Sequence, residues 1–262
     1  MGMKTMILCG GQGTRIRDVA DRIPKPMIPV GKFPILWHIM KYYAHAGHHD
    51  FVLCLGHQGQ AIKDFFLNYE AYTNDFTVTL GQDAGVEFHN RHPEDGWKIT
   101  LAETGLDSMT GARIRKAKKY VEQDDHFFLT YGDGLSNVDI QALFDFHRSH
   151  GKILTVTAVR PMGRFGEIVS DPVGNVLAFN EKPETTPGRI SAGFFVCRRE
   201  IFDYLGDGDE LVFEKEPMQR LAKDKQLVAY AHDGFWHPMD THRDYTYLNS
   251  LESSGSAPWR VW

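Results

Sequence analysis

Cysteine is scarce. Cys9, Cys54 and Cys197 are the only three in 262 residues, and they stand far apart. They form neither a disulfide framework nor a zinc spacing, so the expected compartment is the reducing cytoplasm. Long apolar runs are missing as well. Nothing approaches the roughly 18 residues of a membrane helix. The apolar segment at the N-terminus ends in glycines after about six residues, too short for a signal peptide. There is no basic excess: 29 Lys and Arg against 34 Asp and Glu give a net charge of −5. That removes the electrostatic footprint of a nucleic-acid binder. No Gly-Lys-Ser/Thr follows the glycine-rich loop, and Ile16 stands where a dinucleotide fingerprint needs its third glycine. A P-loop ATPase and an NAD enzyme are therefore disfavoured by spacing alone. No internal repeat or low-complexity linker interrupts the chain, and no catalytic-triad pattern is present.

What is there centres on Lys4 to Val30. A short apolar strand, Lys4 to Cys9, runs into Gly10, Gly11, Gln12, Gly13, Thr14 and Arg15. Glycines at this density let successive N–H groups point at one spot, a concavity suited to phosphate. Arg15 adds a charged fork for phosphate oxygens. Lys25, between Pro24 and Pro26, is presented by a restricted backbone and is expected to stand exposed. A glycine-rich turn after a strand is common by itself. The nest, the guanidinium and the lysine together point to a triphosphate site.

Further along, strand-like and helix-like segments alternate. Helical patterns cover Ile35 to Ala46, Gln60 to Tyr69, Thr110 to Val121 and Ile140 to His150, with others near Glu214 to Lys223 and His242 to Leu251. Strand patterns cover Asp50 to Leu55, Trp97 to Glu103, His126 to Tyr131, Ile153 to Val159 and Ile190 to Cys197. Gly81 to Gly96 reads as a long loop or exposed hairpin. With 42% apolar residues to fill a core, this predicts an α/β fold. The expected core is a mostly parallel, doubly wound (Rossmann-like) sheet with helices on both faces and a small β-rich addition. Ligands then belong at the carboxyl ends of the strands. Asp133, between Gly132 and Gly134 after the strand His126 to Tyr131, sits at such an end. It suits Mg²⁺, which takes one or two carboxylates plus phosphate oxygens and water. Asp240 ends another aromatic strand, but could equally cap the helix that follows. The sequence does not bring the two acids together. Glu181-Lys182-Pro183, the turn Gly163 to Gly166 and the small residues Ser191, Ala192 and Gly193 add a third group, each weak alone.

Taken together, Gly-Gly-Gln-Gly-Thr-Arg, Pro-Lys-Pro-Met, Gly-Asp-Gly after an apolar strand and Glu-Lys-Pro resemble the sugar-phosphate nucleotidyltransferase family, and within it the cytidylyltransferases. The resemblance runs from about Lys4 to Trp262 and includes Asp107 to Gly111, Pro238 to Thr241 and Ala257 to Trp259. It implies a single nucleotidyltransferase domain, nucleotide-binding over about 1–135, sugar-phosphate-binding and oligomer-forming over about 136–262. It implies CTP and a sugar 1-phosphate, glucose 1-phosphate first, as substrates, with Mg²⁺ as cofactor. Gly10, Gly11, Gly13, Thr14, Arg15, Lys25 and Arg113 would hold the nucleotide. Asp133 and Asp240 would hold Mg²⁺. Gly166, Glu181, Lys182 and Ser191 would contact the sugar phosphate. Arg15, Lys25, Arg113 and Lys182 would carry the chemistry. The polar insertion from Gly81 to Trp97 and the C-terminal Trp259 and Trp262 resemble oligomer-building parts, implying a homo-oligomer, with a hexamer in view. Two departures stand out. Ser191 replaces an asparagine that touches the sugar in close relatives, which leaves a different phosphorylated acceptor open. His237 and His242 flank Asp240 where glutamine and leucine are expected; a zinc site there is the weaker reading. A non-catalytic sugar-nucleotide-binding subunit is the alternative from another class, and retention of the charged residues argues against it.

Overall fold

The computed structural model describes residues 2–11, 16, 23–82, 84–90, 92–160, 167–170, 173, 175–180 and 188–262, with backbone only at 167–170 and 178–180. Eight strands make one sheet: β1 (Lys4–Leu8), β2 (Asp50–Leu55), β3 (Lys98–Glu103), β4 (His126–Tyr131), β5 (Leu154–Val159), β6 (Ile190–Ser191), β7 (Phe195–Arg198) and β8 (Leu227–His232). β1 lies between β2 and β4, with β3 beyond β2, and all these pairings are parallel. β7 runs antiparallel between β4 and β5. β5 pairs antiparallel with β6 and parallel with β8. The expected parallel core is present, with one reversed strand inside it.

Side chains alternate across the central strands, and both faces are covered. On one face Ile7, Leu53, Phe128 and Val196 join the helices α1 (Ile35–His45), α4 (Ile140–His150) and α6 (His242–Ser253). On the other, Met6, Leu8, Val52, Phe127, Leu129 and Phe195 meet α3 (Thr110–Lys116) and α5 (Glu216–Lys223). Apolar burial on both faces accounts for near-continuous hydrophobic strands such as FVLCL. α2 (Gly59–Leu67) follows β2.

Several sequence boundaries move. The helix expected over 110–121 stops at Lys116, and a 3₁₀ turn covers Lys118–Tyr120. The strand expected over 190–197 is split, because Gly193 (φ 76°) and Phe194 (φ 48°) take left-handed backbone. The segment read as loop or hairpin, Gly81 to Gly96, supplies the second strand of a hairpin, Gly85–Phe88, which pairs with Phe76–Thr79 ahead of it. The strands Glu167–Ser170 and Val176–Asn180 pair antiparallel as the small β-rich addition. Trp259 is corrected as a residue of an oligomer surface. It is fully buried in its own chain, where its indole N–H donates to His38 Nδ1 at 3.3 Å. It fills core volume instead of offering a surface.

Candidate active site

The carboxyl ends of β1, β2, β3 and β4 open on one side, and a cleft of about 630 Å³ lies there. Gly10 and Gly11 form one wall, Leu106 to Thr110 another, and Lys25, Asp133 and Asp240 the floor. A second cavity of about 250 Å³ is lined by Thr130, Ser191, Ala192 and Trp236. The two share Tyr131, Asp133 and Asp240.

A short ladder brings the acids together. The strand Trp236–Pro238 pairs antiparallel with Gly134–Ser136, and Met239 N–H donates to Asp133 C=O at 2.8 Å. Asp133, just before one strand, and Asp240, just after the other, therefore face one another. Asp240 is not the helix cap. Thr241 caps α6 in a reciprocal box with Asp244. Asp244 also accepts from the Asp240 N–H at 3.1 Å, and is itself paired with His237 at 2.9 Å. Burial would raise the Asp244 carboxyl, but the His237 and Thr241 bonds outweigh it and hold it at about 2. His237 is thus spent on a brace for Asp240. Among the described residues no cluster of three or more His, Cys, Asp and Glu suits a metal.

Lys25 lies between the acids, 2.5 Å from Asp133 Oδ2 and 2.6 Å from Asp240 Oδ1. Its side chain is 14% exposed, so the expectation of an exposed lysine is wrong. The two prolines do restrict its backbone, but both are buried and turn the side chain inward. Burial works against the ammonium, yet the two carboxylates outweigh it and raise Lys25 above the ordinary lysine value. Two carboxylates converging on one cation fit a divalent metal's chemistry, with the ammonium as stand-in.

Arg113 reaches the same wall in another capacity. The residue is 4% exposed. It donates to the carbonyls of Leu55, Gly105, Leu106 and Gly10 and to the Thr104 hydroxyl. It ties the ends of β1, β2 and β3 into one rim. A Cβ at Gly10 or Gly56 would lie 2.3 Å from this guanidinium, so both positions need the bare backbone. Gly56 was not singled out in the sequence, where nothing marks it beyond following β2.

Glu214 was also missed. Its carboxylate accepts from Tyr131 Oη, on the wall shared by the cavities, and from Thr110 Oγ1 at 2.6 Å. No local pattern announces such a contact, since the partners come from three distant segments. Ser191 lines the smaller cavity and is exposed. Gly13, Thr14, Arg15, Gly166, Glu181 and Lys182 lie outside the described residues. The three cysteines are free and buried, and burial pushes their thiols up, Cys54 to about 12. None is a nucleophile at neutral pH.

Comparison with known proteins agrees with this arrangement. Residues 4–254 match the Nucleotidyl transferase family. The chain is 44% identical to the glucose-1-phosphate cytidylyltransferase of Salmonella typhi, across 99% of this chain and 100% of that one. It is 42% identical to the probable glucose-1-phosphate cytidylyltransferase of Bacillus subtilis, with the same coverage. A solved UDP-glucose pyrophosphorylase, complexed with UDP-glucose, superimposes with a TM-score of 0.70 at 15% identity, over 97% of this chain and 100% of that one. HddC from Yersinia pseudotuberculosis does so at 0.67 and 21%, over 95% and 99%. At those identities the two structures speak for the fold alone.

Proposed function

Since the chain belongs to the nucleotidyl transferase family, we propose that it transfers a cytidylyl group from CTP to a sugar 1-phosphate, with glucose 1-phosphate as first acceptor. The products are a CDP-sugar and pyrophosphate. The observation that carries this reading is the shared wall: two cavities meet at Asp133 and Asp240. The larger takes the nucleotide and the smaller the sugar, so their phosphates meet over the carboxylate pair. A phosphate oxygen of the sugar phosphate forms a bond to the α-phosphorus of CTP, the bond to the β-phosphate bridge breaks, and pyrophosphate leaves. The acceptor phosphate is already ionised, so no general base is required. The chain's task is to place two anions in line and offset their repulsion.

Lys25 supplies a cation at the junction, with Arg15 at the triphosphate and Lys182 at the sugar phosphate as its counterparts. Gly10, Gly11, Gly13 and Thr14 offer backbone and hydroxyl donors to the nucleotide. Arg113 holds the rim that presents them. Gly166, Glu181 and Ser191 meet the sugar. Mg²⁺, held by Asp133 and Asp240, would add positive charge where negative charge builds on the phosphates. The full-length likeness to glucose-1-phosphate cytidylyltransferases supports both CTP and glucose 1-phosphate. A homo-oligomer belongs to the same reading, built through the exposed hairpin Phe76–Thr79/Gly85–Phe88.

Pyrophosphate release, measured for a panel of nucleoside triphosphates against a panel of sugar phosphates, tests the proposal. CTP with glucose 1-phosphate should give the highest kcat/KM. A higher value for another phosphorylated sugar would move the acceptor and leave the reaction class. Equal values for CTP and dTTP would remove the base assignment, which requires a site that distinguishes an amino from a carbonyl group at the pyrimidine 4-position.

A further inference from the structure

The position between Asp133 and Asp240 is filled by the chain's own ammonium. We propose that Lys25 closes this position to free divalent cations, so that the cleft takes its metal as a metal–triphosphate complex and not as the bare ion. This rests on the reading of Asp133 and Asp240 as the metal carboxylates. A free metal ion would have to displace an ammonium held by two charge-assisted hydrogen bonds, at 2.5 and 2.6 Å. The displaced ammonium would then stand next to a dication, in a cleft where its side chain is 14% exposed. Like charges at such range repel strongly where water is partly excluded.

The backbone cannot carry the lysine away. Pro24 and Pro26 flank it and are buried, and Lys25 C=O accepts from Ile28 N–H at 3.1 Å in a closed turn. The side chain lines the cleft and is the part that can swing. A triphosphate arriving with its metal changes both sides of the exchange. Asp133 and Asp240 would then hold the metal, and the phosphate oxygens would accept the freed ammonium, so each charge gains a partner of opposite sign. Two chain carboxylates leave most of a magnesium ion's six oxygen positions to phosphate and water, which again favours the complex over the ion. The same side chain thereby acts as gate before binding and as phosphate ligand after it.

The test uses the whole protein without nucleotide and Mn²⁺ as the probe, with free Mn²⁺ followed by electron paramagnetic resonance at pH 8. Wild type, Lys25→Met, Asp133→Asn and the Lys25→Met/Asp133→Asn double variant are compared. Lys25→Gln replaces Lys25→Met should the latter fail to fold, since it removes the charge and keeps a polar head. The proposal expects Lys25→Met to bind Mn²⁺ at least about ten-fold more tightly than wild type, the size of one charge-assisted bond or more. The double variant should lose that gain. Wild type binding as tightly as Lys25→Met, with Asp133→Asn weaker than both, would overturn the gate while leaving the metal carboxylates in place. Equal binding with and without Asp133, in both backgrounds, would overturn the metal reading and the gate with it.

Discussion

Asp133 stands on the wall that both cavities share and is ion-paired with Lys25. Asp133→Asn keeps the shape of the side chain and removes its charge. Lys25 retains Asp240 as partner, so the fold should hold and the melting temperature should stay within a few degrees of wild type. Turnover should fall by about a hundred-fold or more at ordinary Mg²⁺, because the charge acts where the phosphates meet. A variant with wild-type kcat would make Asp133 a turn residue. The glycines of the loop divide in the same physical way. A methyl group at Gly10 would meet the Arg113 guanidinium at 2.3 Å, and that guanidinium is pinned by five oxygens. Gly10→Ala should therefore cost about 1–3 kcal/mol, as overpacking does. Gly11→Ala meets nothing within 4 Å and should stay within about 0.5 kcal/mol. Urea unfolding of both variants checks the contrast; equal losses would contradict it. Residue types at the site were legible because glycine, lysine and aspartate have few reasons to cluster after strands. Their partners were not. Lys25 looked exposed because nothing local says that Asp240, from the far end of the chain, closes over it.

At the scale of elements, the hairpin Phe76–Thr79/Gly85–Phe88 calls for an explanation. Paired residues share a face, so Phe76, Val78, Val86 and Phe88 make one apolar side, and Thr77 and Glu87 lie on the other. The four apolar residues are 40–57% exposed. An isolated two-stranded ribbon is marginal in water and gains stability by covering such a face. A second copy of the chain is the proposed cover. Val78→Asp should then lower the mass measured by light scattering toward that of one chain, with little change in secondary structure. An unchanged mass would place the assembly surface elsewhere. Of these strands, Phe76 to Leu80 shows in the sequence as alternation, since period two survives in so short a run, while its partner falls in the stretch Gly81 to Gly96 that reads as loop or hairpin. Other boundaries could not. The break at Gly193 and Phe194 is set by the Tyr131 ring packed against Gly193, where a Cβ would lie 2.8 Å away, and that contact crosses from another strand.

At the scale of the molecule, alternating strands and helices were enough to anticipate a parallel sheet with a ligand edge. The reversed β7 was not, because strand direction depends on connections and not on composition. The buried histidines give the whole fold a pH signature. Burial lowers His38 and His48 to about 4 and His147 to about 3, against 6.5 in an unfolded chain. Between those values the unfolded chain binds protons that the native state refuses, so stability is full above pH 6.5 and falls as pH drops toward 4. Three such groups give a slope of up to about 4 kcal/mol per pH unit. Urea midpoints at pH 7.5 and pH 5.0 should differ markedly; equal midpoints would mean that the three rings are accessible. The central claim is that the two cavities join CTP to a sugar phosphate over Asp133 and Asp240. Its most direct measurement follows CTP labelled at the α-phosphorus, incubated with glucose 1-phosphate, Mg²⁺ and the protein. Label should appear in CDP-glucose, formed in step with unlabelled pyrophosphate and absent with Asp133→Asn. Label that stays in CTP, or appears only as CMP, with the wild-type protein would contradict it.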